Sequence, residues 1–367
     1  MGLISFVLHT KYILSLIFKL VSGEKRFEQL FNSFKHRLNL LGPKANLNFG
    51  PKVLSLVLTQ KCNLHCSMCM THSESVTNNF SVPKDMSMKL FHDIINKYSC
   101  AEMITFIGNG EPLLHPELFN MISLSNQRKF DTLLVTNGTL LEKHAMNLIH
   151  AKPHSIYISI NGYDEKDYAR LTGEKTETFQ IIKKNIKTFT SLAKSHHLNI
   201  FIGCSFICDQ VNYKHMQNML DLSKELGANL CVLNNFLDSD CVGYRAQERC
   251  LYDNESYRHI INELVVPMMD DNRLMTVVLP VPLKEINNDC FCDSFFTMLR
   301  IDGDGDIGGC GRKLLELKNN GQAASIDCWN NNYFLKHREG FIKGEVQHIE
   351  KRCLTCFNSH LGHRNKR

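Results

Sequence analysis

The sequence has no uninterrupted apolar run of roughly 18 residues, the length a membrane-spanning helix needs. Its 9 prolines and 21 glycines follow no period, which excludes a collagen-like repeat. Neither a low-complexity tract nor an internal repeat is evident. No secretory signal is expected, because Lys11 and Lys19 break the N-terminal apolar stretch and no small-residue cleavage site follows it. Disorder is excluded by composition: 43% of the 367 residues are apolar and 22% charged, which is enough apolar surface to offset ordering entropy in a soluble globular protein. What the chain does have is cysteine, 15 in all. An odd number in a long chain without a secretory signal argues for clustered metal ligands rather than a disulfide framework.

Charge is concentrated at one end. Residues 1–52 hold eight basic residues and only Glu24 and Glu28, a net +6, so the other 315 residues carry −1 of the chain's +5. Apolar residues accompany this charge at helical spacing: Phe27, Leu30, Phe31, Phe34, Leu38 and Leu41, with Ile13, Leu14, Leu16, Ile17 and Phe18 upstream. A basic amphipathic helix can lie on an anionic membrane or dock on a partner, and residues 1–41 are candidates for that. The alternative is a helix over one end of the core with its lysines in water. Gly42-Pro43 ends the segment.

From residue 53 short β-rich runs recur: Val53–Leu58, Met103–Ile107, Thr132–Val135, Ser155–Ile160, Ile200–Ile207 and Leu230–Leu233. Helical stretches separate them, among them Met86–Tyr98, Leu141–Ala151, Phe179–His196 and Tyr213–Leu226. Alternation of this kind implies βα units and a parallel sheet, with ligands at the carboxyl ends of the strands. Gly108-Asn109-Gly110, Thr136-Asn137-Gly138 and Asn161-Gly162 stand at such ends. Residues 241–285, with Cys241 and Cys250, read as a helical connection. Residues 286–367 read as a smaller domain organised around metal rather than a large core.

The loop after the first strand is Cys62-Asn63-Leu64-His65-Cys66-Ser67-Met68-Cys69. This C-x3-C-x2-C spacing gathers three thiolates, the usual ligands of iron–sulfur clusters, where a cubane takes four. Three would leave one iron open. Zinc with His65 or His72 as fourth ligand, and plain packing, are the competing readings, and the spacing fits both poorly.

The loop resembles that of the radical S-adenosylmethionine (SAM) enzymes, including the bulky Met68 before the last cysteine. The resemblance implies a partial (β/α)6 barrel over about residues 53–240, with a [4Fe–4S] cluster on Cys62, Cys66 and Cys69. It also implies that SAM, chelating the open iron, is cleaved reductively to a 5′-deoxyadenosyl radical that abstracts hydrogen from a substrate. Gly108-Asn109-Gly110-Glu111-Pro112 is similar to the family's glycine–glutamate–proline motif, with Asn109 where the common form has a second adjacent glycine. Gly108, Gly110 and Glu111, together with Ser159, Asn161 and Arg170, are the implied SAM contacts. Arg170 could meet the SAM carboxylate bidentately or sit in a salt bridge.

In the tail, Cys292 and Cys310 flank a stretch, Leu299–Ile307, that looks like a β-hairpin with an Asp-Gly turn. An EF-hand is rejected, since Ile307 stands where Gly is needed and Lys313 where Glu is needed. With Cys353 and Cys356, the arrangement resembles the twitch form of the SPASM extension and implies one auxiliary [4Fe–4S] cluster. Cys290 could replace Cys292, and a four-thiolate zinc is the alternative. A fully ligated auxiliary cluster would move electrons, so dehydrogenation of a small carbohydrate or cyclitol is the leading expectation. Epimerisation is the rival and needs a hydrogen donor, for which Cys204 and Cys208, on one face of the fifth strand, are candidates. Peptide maturation and a non-catalytic iron–sulfur carrier are the other readings. A flavodoxin- or ferredoxin-type electron donor is the expected partner, nucleic acid is not, and clusters of this kind imply a reducing, cytoplasmic setting.

Overall fold

The computed structural model describes residues 19, 21–69, 71–73, 84–235, 251, 254–265, 275–280, 292–310, 321–324, 327–349 and 353. Six strands fall where the β-rich runs lie: β1 Val53–Val57, β2 Met103–Ile107, β3 Asp131–Thr136, β4 Ser155–Asn161, β5 Phe201–Cys208 and β6 Leu230–Asn235. Three more follow, β7 Thr276–Val278, β8 Met298–Ile301 and β9 Ile307–Gly308. All nine form one sheet in the order β7-β6-β5-β4-β3-β2-β1-β8-β9. Every pairing is parallel except that of β8 with β9.

The helices are α1 Phe27–Leu41, α2 Met88–Lys97, α3 Leu118–Gln127, α4 Ala145–Ala151 and α5 Glu165–Thr172. After them come α6 Thr176–Ser195, α7 Met216–Glu225, α8 Glu255–Ile260, α9 Ser294–Thr297 and α10 Asn332–Lys343. The longest, α6, carries Phe179, Ile182, Ile186, Phe189 and Ala193 at the 3–4 spacing of one face, and all are buried. Each buried Phe or Ile side chain among them contributes about 1.5–3 kcal/mol. Asp164 caps α5 by accepting from the Asp167 amide at 2.7 Å, and Gly173, at φ +73°, ends it in a left-handed turn.

Strand pleating gives the sheet two unlike faces. In β4, Ile156, Ile158 and Ile160 are fully buried, while Tyr157, Ser159 and Asn161 are half-buried. The same alternation runs through β2 and β3.

Two regions hold more than their sequence shows. The region read as a helical connection contributes a strand, β7, whose three residues are too short to show a period; Cys241 and Cys250 lie outside the described residues. The tail is also more than a cysteine framework. Its hairpin extends the main sheet, β8 pairing with β1 in the register Val53↔Met298. Phe295, Phe296, Trp329, Phe334 and Phe341 belong to the same hydrophobic core as the strands. Arg338 is buried there over the Trp329 ring, 4.3 Å from its centroid, and donates to the Phe295 and Ala45 carbonyls. Among the described residues no helix is long and apolar enough to cross a membrane.

Candidate metal centre

The three-cysteine loop leaves the carboxyl end of β1 and is tied down by its neighbours on every side. Gly110, after β2, donates its N–H to the Thr59 carbonyl at 3.1 Å, and the Glu111 N–H reaches the Lys61 carbonyl at 2.7 Å. A β-carbon on Gly110 would come within 2.0 Å of the Lys61 carbonyl oxygen, so only glycine lets these two loops meet. From the β3 end, Asn137 donates through Nδ2 to Asn63 Oδ1 at 3.0 Å, and Asn63 donates to Thr139 Oγ1 at 2.8 Å. Beyond α5, Glu174 accepts the His65 N–H at 2.6 Å, and the Thr172 carbonyl accepts the Ser67 N–H at 2.5 Å.

Glu111 joins two of these strand ends. Its carboxylate is buried and accepts from the Leu113 N–H at 3.0 Å, the Thr136 hydroxyl at 2.7 Å and the Asn137 N–H at 2.7 Å. Burial raises its pKa, while these three donors pull the other way. Asn109, the residue where the common motif has glycine, is an anchor as well. Its carbonyl accepts from the Thr71 hydroxyl at 2.7 Å, and its Oδ1 accepts from Arg300 Nη2 at 2.8 Å. Arg300 is a fully buried cation on β8, pulled down to about 10 by burial and steadied by the nearby Cys310 and Asp302.

The three sulfurs lie close enough to feel one another's charge. Burial pushes the Cys62 thiol up to about 11, with Glu111 and Cys69 adding to the rise, and Cys66 up to about 12, with Cys69, Glu174 and Cys62 adding. Left alone Cys62 and Cys66 would stay protonated, and binding iron would displace their protons. Cys69 Sγ already receives the Thr71 and His72 backbone N–H groups at 3.4 and 3.3 Å, which suits a thiolate. Among the described residues no three His, Cys, Asp or Glu side chains converge as ligands of a single ion. A cubane does not ask for convergence, since each thiolate takes a different iron. The donor set therefore fits a cluster held by Cys62, Cys66 and Cys69.

Other candidates are placed differently. Ser159 and Asn161 sit on the half-buried face of β4, and Asn161 adopts φ +67° at a bulge. Arg170 is engaged within the protein: Asp209 takes it bidentately at 2.6 and 3.2 Å, and Asp167 accepts at 2.6 and 3.1 Å. Both aspartates are buried, and the guanidinium completes an ion-pair network with them. Cys204 and Cys208 are fully buried on the helix side of β5. Cys208 Sγ lies 3.7 Å from Met219 Sδ, and Cys204 meets Ser223, both partners being on α7.

The opposite face carries groups not singled out from sequence. Ser205 accepts from Asn234 Nδ2 at 2.8 Å, and Thr105 and Tyr157 point the same way by strand alternation. In the tail, burial pushes Cys292 up to about 12, with the Cys310 charge adding to the rise. Cys353 is half-buried against the core, and Cys356 and Cys290 lie outside the described residues.

Residues 56–209 match the profile of the Radical SAM superfamily. A probable GTP 3′,8-cyclase of Methanococcus aeolicus is 31% identical over 141 residues, 37% of this chain and 45% of that protein. The tungsten-containing aldehyde ferredoxin oxidoreductase cofactor-modifying protein of Pyrococcus furiosus is 28% identical over 190 residues, 51% of this chain and 52% of that one. The chain spans about half the length of these curated relatives. Among solved structures, SuiB of Streptococcus suis aligns with a TM-score of 0.61 at 18% identity, covering 86% of this chain and 73% of that one. The anSMEcpe structure with bound AdoMet aligns at 0.56 and 16% identity, covering 83% and 85%. At such identities these likenesses concern the fold.

Proposed function

The chain carries a radical SAM domain, and from that premise we propose that it is an oxidoreductase working on a small polar metabolite. The carrying observation is the cysteine loop, fixed at the carboxyl ends of β1, β2 and β3 by Gly110, Glu111, Asn63 and Asn137. Cys62, Cys66 and Cys69 would hold a [4Fe–4S] cluster, which together with SAM would supply the radical chemistry that abstracts a hydrogen atom.

The chain's own residues orient and enclose that chemistry. Gly108 and the Gly110 edge lie beside the loop as contacts for SAM, and Ser159 and Asn161 offer a hydroxyl and an amide from β4. Thr105, Ser205 and Asn234 extend this neutral hydrogen-bonding surface, which supports a polyhydroxylated substrate such as a carbohydrate or cyclitol. Dehydrogenation removes a hydrogen atom, an electron and a proton. Cys292, Cys310, Cys353 and Cys356 would hold the auxiliary cluster that takes the electron.

Two measurements test this reading. Anaerobically reconstituted protein, reduced in the presence of SAM, is expected to form 5′-deoxyadenosine, and Cys62→Ala to form none. Deuterium from a labelled sugar or cyclitol appearing in that product would support the substrate class. Deuterium transfer from a labelled peptide instead would reassign the chain to peptide maturation, and an intact cluster with no product would favour an electron carrier.

A further inference from the structure

The amino-terminal helix is built inside out. Gln29, Leu30, Asn32, Ser33, His36 and Asn39 form its buried face. Three of them are fastened to backbone carbonyls: Gln29 Nε2 to Ala101 at 2.9 Å, Asn32 Nδ2 to Pro51 at 3.0 Å and His36 Nε2 to Gly50 at 2.9 Å. At about 100° per residue, Phe27, Phe31, Phe34, Leu38 and Leu41 fall within about 40° of one line on the opposite side. Phe27 is 65% exposed, Leu38 50% and Leu41 71%. The Phe27 and Phe31 rings stack in the open, 5.9 Å apart, with Lys35 Nζ 4.7 Å above Phe31.

A helix that merely covers a core turns this stripe inward. Here the polar side chains hold the helix to the protein and the apolar side is left over. Lys35 and Arg37 flank the stripe about 80° to either side, again at about 100° per residue. Lys44 stands at one end, and Arg26, ion-paired with Glu28, at the other. The surrounding segment, residues 1–52, has a net +6, whereas the remainder of the chain is −1. An apolar strip bordered by cations complements the surface of an anionic bilayer, where acyl chains take the strip and phosphates take the cations.

We propose that α1 docks this protein on anionic lipid. The docking also sets an orientation. Gly50, Pro51 and Ala101 immediately precede β1 and β2, so α1 closes the amino end of the strands, while the cysteine loop opens at the carboxyl end. The docked protein would hold its candidate site away from the bilayer, open to water-soluble substrates. This inference does not depend on the chemistry at that site.

The test is sedimentation of the full chain with vesicles of phosphatidylcholine, with or without roughly a third phosphatidylglycerol, over a range of salt. Binding to the anionic vesicles, weakening with salt, is expected. Phe31→Ser and Leu38→Ser should each weaken it about tenfold, and Lys35→Glu by about fivefold or more. These side chains face outward, so the circular dichroism of the variants should match that of the parent. Phe31→Trp gives a local readout, its emission shifting to the blue on anionic vesicles. Equal binding to neutral vesicles, no binding to either, or an unshifted Phe31→Trp spectrum would overturn the proposal. So would a dimer broken by Phe31→Ser without lipid binding.

Discussion

Replacing Glu111 by glutamine removes a charge and little volume, so its consequence can be worked out from the hydrogen bonds. One carboxylate oxygen accepts from the Leu113 N–H and the Thr136 hydroxyl, and the other accepts from the Asn137 N–H. An amide offers one oxygen and one NH2. Whichever way it is turned, its NH2 faces one of the two backbone N–H groups. The hydroxyl of Thr136 can rotate to adapt, but the backbone donors cannot. A buried donor left without an acceptor costs about 1–3 kcal/mol. For 367 residues, at about 2.1 cal/mol/K of unfolding entropy per residue, each kcal/mol lowers Tm by about 1.3 °C. Glu111→Gln should therefore melt about 1–4 °C below the parent in anaerobic calorimetry. Amide exchange at Asn137 should quicken, and through its bond to Asn63 the cysteine loop should loosen. Thr136→Val leaves both backbone bonds to the carboxylate intact but takes the acceptor from the Gly138 N–H, so it should cost a comparable ~1–3 kcal/mol without quickening exchange at Asn137. A Glu111→Gln protein with unchanged melting and unchanged Asn137 exchange would refute the claim that this carboxylate ties β2 to β3.

Asn109→Ala takes away the acceptor of a charge-assisted bond from buried Arg300 and should destabilise by about 1.5–3 kcal/mol, measurable by denaturant unfolding. His36 is held down to about 4, from 6.5, by burial first and then by the Lys52 and Arg338 charges. The unfolded chain therefore takes up a proton as the pH falls through 6.5, while the native imidazole resists until about 4. Stability is complete above this window and is lost across it, by about 3 kcal/mol in all. The difference in unfolding free energy between the parent and His36→Gln, followed from pH 7 to 4, should show that slope, and parallel curves would contradict it. Cys353→Ala should lower bound iron from about eight to about four per chain if two cubanes form, and iron unchanged from the parent would remove that cysteine from the tail site.

The strands of the sheet were legible because short β-rich runs alternate with helical stretches and end in glycine or asparagine. Met103–Ile107 falls on the run read from sequence alone. The cysteine loop was legible through spacing, a one-dimensional signal. What spacing cannot carry is pairing between distant residues. Arg300 is a lone cation in an apolar strand, which hints at a buried partner, but nothing in the chain order joins it to Asn109, 191 residues away. Arg170 was open between two fates for the same reason, its partner Asp209 lying 39 residues on. The stripe of α1 was read correctly as amphipathic, yet periodicity is blind to which side faces the protein. That choice is made by Gln29, Asn32 and His36 finding carbonyls at the strand ends.

The central claim is that three thiolates leave one iron of a cubane open to SAM. Electron–nuclear double resonance on the reduced protein with 15N- or 17O-labelled SAM examines that vacancy at the atom concerned. The account predicts hyperfine coupling from the SAM amino nitrogen and carboxylate oxygen to the cluster, and loss of the signal in Cys66→Ala. A reduced cluster with no coupling to either label, or a metal centre of full protein ligation at Cys62, Cys66 and Cys69, would contradict it.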